Sequence, residues 1–453
     1  MEREVSLMEV LQAREARVGQ QDTLRNKYGV PVISFTMNIA GPVKDSPLIR
    51  RAFRAGQEQL RTGLTAARLS VLDRLEWQSP TGCEAFYAVS GDAWEIKSVC
   101  VSIEDSSALG RLFDMDVLAA DGRKLVREEV GGGPRSCIVC GAPGGGCASR
   151  RVHTVEELQR TTRRIIEEHF AGADREKAAA LVTRALLDEV CTTPKPGLVD
   201  RSNNGSHRDM DIFTFAASAA ALAPYWDRCV RIGQETAQNS PADTFQALRQ
   251  AGQAAERTMF AATGGSNTHK GAIFTLGIIC GAVGRLWNPV SPCRNPETIL
   301  AECAAIASDA VSADFAALRH KPARTAGQKL YLEQGITGVR GEAAQGFPSV
   351  SQTALPALKQ ALQAGRSHND AGAIALLRLI ALGADTNMVS RGGAERAKTA
   401  AAWCEALLKR SPLPAMEEIV ELDQKFIHEN LSPGGCADLL AAAFFLRSWE
   451  TTV

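Results

Sequence analysis

The chain has 453 residues, enough for two or three domains. Its 51 Lys and Arg balance 51 Asp and Glu, so it lacks the basic excess of a general nucleic-acid or membrane-surface binder. No run of about eighteen apolar residues marks a transmembrane helix, and the charged start MEREVSLMEVLQAREARVG has no apolar core of a secretory peptide. Twelve cysteines scattered over so long a chain read as reduced thiols, and a cytoplasmic location is expected.

Up to about residue 155, helical patterns mix with strand-like runs. Helices are expected over 5–28 and 47–75. VPVISFTMNI (30–39) is β-branched and aromatic and ends at the turn AGPVKDSP. CEAFYAV (83–89), IKSVCVSI (96–103) and RLFDMDVL (111–118) also read as strands, which makes this part an α+β domain. Alternation along RLFDMDVL sends Phe113, Met115 and Val117 to the core. Asp114 and Asp116 then share the other face, roughly 7 Å apart. Two carboxylates at that spacing repel unless a cation lies between them. Mg²⁺ takes one or two carboxylates plus substrate phosphates, and such a pair suits in-line displacement at phosphorus. A solvated strand face is the commoner explanation of a lone Asp-x-Asp. Here Arg111 stands just upstream, placed to hold a phosphate. Asp-x-Asp on a strand is the metal site of nucleotidyltransferases, although their usual Gly-Ser helix start is not evident.

The segment RSCIVCGAPGGGCASRRVH (135–153) follows. Cys137, Cys140, Cys147 and His153 are residue types that ligate zinc. Cys-x-x-Cys is right for half a site, but the short spacing to Cys147 is less usual, and zinc is not the favoured reading. Arg135, Arg150 and Arg151 suit phosphates, an acidic partner or a solvated surface.

From about residue 156 onward strands nearly vanish. Apolar residues recur at helical spacing from 156–170 and 174–191, through 209–234, 242–262, 271–287, 297–320, 352–365 and 370–382, to 391–410, 415–430 and 433–449. Alanine, the best helix former, is abundant. An all-α helical bundle is expected, joined stiffly through TVEELQRTTRRIIEEHF (154–170). Polar, Gly-rich segments separate the helices: 193–209, TGGSNTHKG (263–271), EQGITGVRGEAAQGFPS (333–349), GADTNMVSRGG (383–393) and NLSPGGCAD (430–438). Capping alone does not call for Lys, His and Arg in such places. One site built between helix ends is the favoured reading.

In TPKPGLVDRSNNGSHRDMD (193–211), Pro194 and Pro196 keep Lys195 out of a helix. Ser206 and Asp209 match a capping box. That start places His207 and Asp211 as i, i+4 neighbours in the first turn. Asp200, Asp209 and Asp211 would hold Mg²⁺ near a polyphosphate, with Asn203 and Asn204 among the ligand-binding candidates. In ATGGSNTHKGAIFTLG a helix is expected to start near Asn267 or Thr268, which puts His269 and Lys270 against its dipole. A phosphate bound there would resolve the conflict, and Gly264, Gly265 and Ser266 would let the backbone approach it. Arg340 and Glu342, then Asp385, Asn387 and Arg391, occupy two further segments. Ser432-Pro433 reads as a helix start with Asp438 inside that helix. Glu342, Asp385 and Asp438 complete the metal candidates.

TPKPGLVDRSNNGSHRDMD, TGGSNTHKGAIFTLG, GITGVRGEAAQGFPSV and GADTNMVSRGG resemble the triphosphoribosyl-dephospho-CoA synthase family over roughly 170–450. LQAREARVGQQ, ISFTMNIAGPVKDSPLIRRAF, GRLFDMDVL and RSCIVCGAP…CASRRVH resemble the apo-citrate lyase phosphoribosyl-dephospho-CoA transferase (holo-citrate lyase synthase) family over about 5–158. The resemblance implies a fusion, with a nucleotidyltransferase-like transferase domain at 1–160 and a synthase domain at 161–453. It implies that ATP and 3′-dephospho-CoA are joined with loss of adenine. The product would then be transferred to a serine of the citrate lyase acyl carrier (gamma) subunit, with release of pyrophosphate. One departure is Ser107-Ala108-Leu109-Gly110, where the transferase family usually has His-Pro-Leu-Gly. By chemistry the synthase step needs a base for the attacking hydroxyl, and His207 and Asp211 are the candidates. The rival readings are the equivalent malonate decarboxylase pathway, an ADP-ribosyl-hydrolase-like activity, and a zinc-dependent scaffold that only binds the carrier protein.

Overall fold

The computed structural model describes residues 3–143, 146–318, 323, 326–383 and 385–452. The chain divides into two compact units, Met1–Gly172 and Ala173–Val453.

The first unit runs α1 (Leu7–Tyr28), β1 (Val32–Met37), α2 (Pro47–Ala66), β2 (Ser70–Ser79), β3 (Gly82–Ser90), α3 (Ala93–Asp105), β4 (Phe113–Leu118) and β5 (Lys124–Leu125). The one-turn helix α4 (Gly146–Ser149) precedes α5 (Val155–Cys191), and the boundary between the units falls within α5. The strands form one antiparallel sheet in the order β2-β3-β1-β4-β5. One face carries Phe35, Phe113 and Met115, all fully buried. Phe35 stacks on Phe53 of α2 with ring centroids 4.6 Å apart. Gly56 lets α2 settle there, since a Cβ would lie 2.5 Å from the Phe35 ring. On the other face Ser34 lies opposite Asp116 and Thr36 opposite Asp114.

Two expectations are corrected. IKSVCVSI is helical, within α3. Asp92 accepts from the Trp94 and Glu95 N–H groups and starts the helix, and Ile96, Cys100 and Ile103 then fall at helical spacing in the core. The helix expected over 47–75 ends at Ala66, and β2 begins at Ser70. As an edge strand with most residues exposed, β2 has no apolar face to declare itself. The helix α3 also completes the sheet. β5 pairs only with Val117 and Leu118, so buried Glu104 accepts from Met115 N at 2.8 Å and buried Lys97 donates to Met115 O at 3.0 Å.

Among its described residues the second unit has helices and no strand. After α5 come α6 (Ile212–Glu235), α7 (Pro241–Ala262), α8 (Lys270–Arg285), α9 (Pro296–Leu318), α10 (Ala326–Gln334) and α11 (Gly338–Ala344). A π turn over Val350–Ala354 leads into α12 (Leu355–Gln363), then α13 (His368–Ala381), α14 (Thr386–Arg410), α15 (Met416–His428) and α16 (Gly434–Thr451). α8 is apolar and buried on nearly every side, the mark of a central helix. Gly233 and Gly284 let α6 and α8 touch backbone to backbone, since a Cβ on either would lie 2.1 Å from a carbonyl oxygen. Segments 333–349 and 383–393, expected as loops, contain α11 and the first turns of α14, which is kinked at Gly393. Residues 319 and 320 of the helix expected over 297–320, and Ala384 in the segment 383–393, lie outside the described residues. No single helix among the described residues is long and apolar enough to cross a membrane.

Candidate active sites

In the first unit β4 presents Asp114 and Asp116 on one face, both half-buried, with Phe113, Met115 and Val117 on the other. Lys124 reaches Asp116 at 2.5 Å and Arg135 approaches Asp114 at 3.6 Å. Burial and then Asp116 push the Asp114 carboxyl above its ordinary value, while Arg135 pulls it back. Arg17 grips buried Glu84 with two bonds, at 2.6 and 3.1 Å, and feels both aspartates. Arg111 donates to Ser136 O at 2.6 Å rather than standing free. The roles of Arg17, Glu84 and Glu104 were not read from the sequence, although Arg17 lies within a motif that carries the resemblance.

The structure also draws Cys137, Cys140, Cys147 and His153 together, with their ligating atoms within 4.8 Å of one another. Burial raises the Cys137 thiol, but the Cys140 and Val139 N–H groups and the neighbouring thiols outweigh it and bring it down to about 7.

In the second unit, segment 193–211 separates into two sets of residues. Buried Asp200 accepts from Lys195 N, Thr193 Oγ1, Ser202 N and Asn203 N at 2.6–3.1 Å. Asn203 bonds Asp423 at 2.9 Å and accepts from Gly205 N, and Asn204 O accepts from His207 N. The expected capping box is corrected. Ser206 donates to Leu431 O at 2.7 Å, and Asp211 caps α6 by accepting from Thr214 N at 2.8 Å. The helix therefore starts at Ile212, and His207 and Asp211 do not share its first turn. The apolar run IFTF begins immediately after Asp211, which lets this later cap win.

Lys195, His207 and Asp209 line a cavity of about 1020 Å³. His269, Lys270, Arg340 and Glu342 join them, as do Asp385, Asn387, Arg391 and Asp438. All five polar segments thus contribute to one cavity. Asp200, Asn203, Asn204, Asp211, Gly264, Gly265 and Ser266 are not among its lining residues. Gly264 and Gly265 form a left-handed turn after α7, and Ser266 ties that turn to Asp209 O at 2.7 Å.

Several of the charged residues that line the cavity are buried. Lys195 and Glu189 pair at 2.5 Å, both buried, and burial holds the Glu189 carboxyl high despite Lys195. Asp438 lies against the start of α8, where a Cβ on Gly271 would meet its Oδ2 at 1.8 Å. Burial, then Glu189 and Asp385, push the Asp438 carboxyl well above its ordinary value. The conflict at the α8 N-terminus is met within the protein: Glu256 pairs with Lys270 at 3.0 Å, and the Asp438 carboxyl lies beside Gly271. Asp385 caps α14 through Asn387 N and Met388 N and also accepts from Cys436 N at 2.8 Å. Glu342 accepts from Ser349 N and Oγ. Arg340 pairs with Asp314 at 3.4 Å.

Two histidines line this cavity in neutral form. Thr268 donates to Ser218 Oγ at 2.8 Å, and Ser218 Oγ lies 2.7 Å from His269 Nδ1, which is the acceptor when Nε2 carries the ring proton. In that tautomer His269 Nε2 is an N–H donor, buried and without a partner among the described residues. Burial, then Lys195, bring this imidazole down to about 3. His207 Nδ1 accepts from Arg391 at 3.2 Å, and its Nε2 lies 2.8 Å from Ser432 Oγ. Burial and Arg391 lower its pKa.

The second unit holds a polar cavity ringed by helix ends, and the first a carboxylate pair on a strand. The model of the family described as ATP:dephospho-CoA triphosphoribosyl transferase matches residues 175–452, and that described as apo-citrate lyase phosphoribosyl-dephospho-CoA transferase matches 5–169. The chain is a transferase enzyme built of two transferase parts. It belongs to the CitXG family of fusion proteins. It is 34% identical over 456 residues to Protein CitXG of Haemophilus influenzae, covering 98% of this chain and 97% of that one. It is 35% identical to Protein CitXG of Leuconostoc mesenteroides subsp. cremoris, with the same coverage. Its second part is similar to the 2-(5″-triphosphoribosyl)-3′-dephosphocoenzyme-A synthase of Pectobacterium atrosepticum, 43% identical over 60% of this chain and 88% of that protein.

Proposed function

We propose that the second unit joins ATP to 3′-dephospho-CoA and that the first unit transfers the product to the acyl carrier subunit of citrate lyase, completing its prosthetic group. In the first reaction the 2′-hydroxyl oxygen of dephospho-CoA bonds to C1 of the ATP ribose. The bond from C1 to adenine breaks, its electron pair leaves on adenine, and the triphosphate is kept. In the second reaction a carrier serine attacks the α-phosphorus and pyrophosphate leaves. The first unit matches the citrate lyase type of transferase, which disfavours the malonate decarboxylase reading.

The observation that carries this reading is the charge of the second unit's cavity. Its wall holds six carboxylates (Glu189, Asp209, Glu256, Glu342, Asp385, Asp438) against four cations (Lys195, Lys270, Arg340, Arg391). Burial holds the Glu189, Asp385 and Asp438 carboxyls above their ordinary values, with neighbouring carboxylates adding at Asp438; a divalent cation on these hard oxygen donors would relieve that cost. Asp385 and Asp438 would hold Mg²⁺ in the second unit, and Asp114 and Asp116 in the first, supplying neutralising charge to the phosphates. Lys270, Arg340 and Arg391 contact the triphosphate directly, and His269 Nε2 donates a hydrogen bond to the ligand. His207, neutral through burial, accepts the hydroxyl proton at Nδ1 once Arg391 turns from that nitrogen to the triphosphate. The Asp209 carboxylate, 3.9 Å from His207 Nδ1, stabilises the imidazolium that forms. The Asp114/Asp116 pair on a sheet strand supports a nucleotidyltransferase-like first unit.

The test separates the two steps. Asp438→Asn is expected to abolish adenine release from ATP and dephospho-CoA while leaving transfer of ready-made triphosphoribosyl-dephospho-CoA intact. Asp114→Asn is expected to do the reverse, with each loss about 10²-fold or more. Loss of both steps in either variant would overturn the assignment of steps to units.

A further inference from the structure

We propose that Cys137, Cys140, Cys147 and His153 bind one structural zinc ion, which fastens the segment beside Asp114. A tetrahedral site with Zn–S near 2.3 Å and Zn–N near 2.0 Å requires ligand atoms about 3.5–3.8 Å apart. Cys140 Sγ lies 3.5 Å from Cys147 Sγ and 3.3 Å from His153 Nε2. All four ligating atoms fall within 4.8 Å of one another.

The backbone is shaped for this arrangement. Cys137 N donates to Ala142 O at 2.8 Å and Gly141 N to Cys137 O at 2.9 Å. Gly141 takes a left-handed φ of 72° just after the second cysteine, where a side chain would be strained. The short spacing to Cys147 is accommodated by α4, which turns the chain back, with Val152 N bonded to Cys147 O at 3.0 Å. The outer nitrogen of His153 also has a carboxylate neighbour. Its Nδ1 lies 3.9 Å from Glu157 Oε2, and Glu157 is itself held by Thr154 N at 2.9 Å. An acid behind a ligating imidazole is the usual second support of a zinc site.

The segment also needs a fastening. Among the described residues of 131–153 none is buried. Its regular structure there is one bridge, Ser136 to Pro143, and the single turn α4. A bound metal substitutes for a core that such a segment lacks. What it holds in place is specific. Arg135 donates to Phe113 O at 2.8 Å and approaches Asp114, and Ser136 O takes the Arg111 guanidinium. Binding releases the three thiol protons to solvent and changes no oxidation state.

The test reads metal in the full-length chain, purified under reducing conditions from zinc-supplemented cells, and depends on neither reaction. About one zinc per chain is expected by elemental analysis. Cys137→Ser/Cys140→Ser should lose it and Cys293→Ser should keep it. The cobalt-exchanged wild-type chain should show thiolate-to-cobalt charge transfer and tetrahedral absorption, retained in His153→Cys. Equal zinc in the wild type and the double serine variant overturns the proposal, as does a Cys140–Cys147 disulfide in place of metal. If the serine variant fails to fold, a wild-type cobalt spectrum without thiolate bands overturns it alone.

Discussion

His269 illustrates how burial converts an ordinary side chain into a directed donor. The hydrogen bonds through Thr268 and Ser218 hold its ring with a buried Nε2 that has no partner among the described residues. Replacing it by Ala should cost about 10²-fold in adenine release, the usual loss for one preorganised donor. With its pKa brought from 6.5 down to about 3, its neutral form is the one the fold prefers. That stabilisation is present above pH 6.5 and is lost as pH falls toward 3. Urea midpoints measured between those limits should show a loss in the wild type that is smaller in His269→Gln; equal slopes would refute this. Lys195 is a different case, because it and Glu189 are both buried and paired at 2.5 Å. Lys195→Met strands Glu189 and is expected to cost about 3–5 kcal/mol in denaturant unfolding. Lys195→Met with Glu189→Leu should recover much of that.

At the scale of elements, legibility followed the pattern each residue set imposes. β4 was readable because strict alternation puts Phe113, Met115 and Val117 on the core face and Asp114 and Asp116 on the other. α3 was misread because IKSVCVSI is β-branched; its true signal is Asp92, three residues ahead of Glu95, which caps the helix. The start of α6 was placed too early because two capping signals overlap, Ser206 with Asp209 and Asp211 with Thr214. The apolar run after Asp211 and the tertiary contact of Ser206 with Leu431 O together favour the later one. This reassigns Asp211. Asp211→Ala should destabilise the protein by about 1 kcal/mol while adenine release stays near wild type; a hundredfold loss of rate in a folded variant would restore it as a catalytic group. Glu189 was legible but missed. It interrupts the buried stripe of Val182, Ala185, Leu186 and Val190, and an acid on such a stripe marks either a buried partner or a site.

At the scale of the whole molecule, the change of texture near residue 155 reflects two units with unlike architectures. Five polar segments spread over 193–438 contribute to one cavity. Their convergence was inferable from residue types that capping does not demand. Which residues face the cavity was not, because Asp200 and Asn203 look like ligands in sequence yet are taken up by hydrogen bonds within the loop and to Asp423. Having both parts in one chain tethers the maker of the intermediate to its user, which raises its effective concentration. The most direct test of the account is one incubation of the full chain with ATP, 3′-dephospho-CoA, Mg²⁺ and apo-acyl carrier subunit. Mass spectrometry of the carrier is read beside adenine and pyrophosphate assays. The expected result is a carrier enlarged by phosphoribosyl-dephospho-CoA, with one adenine and one pyrophosphate per carrier modified. Adenine release that needs no dephospho-CoA, with the carrier mass unchanged, would contradict it.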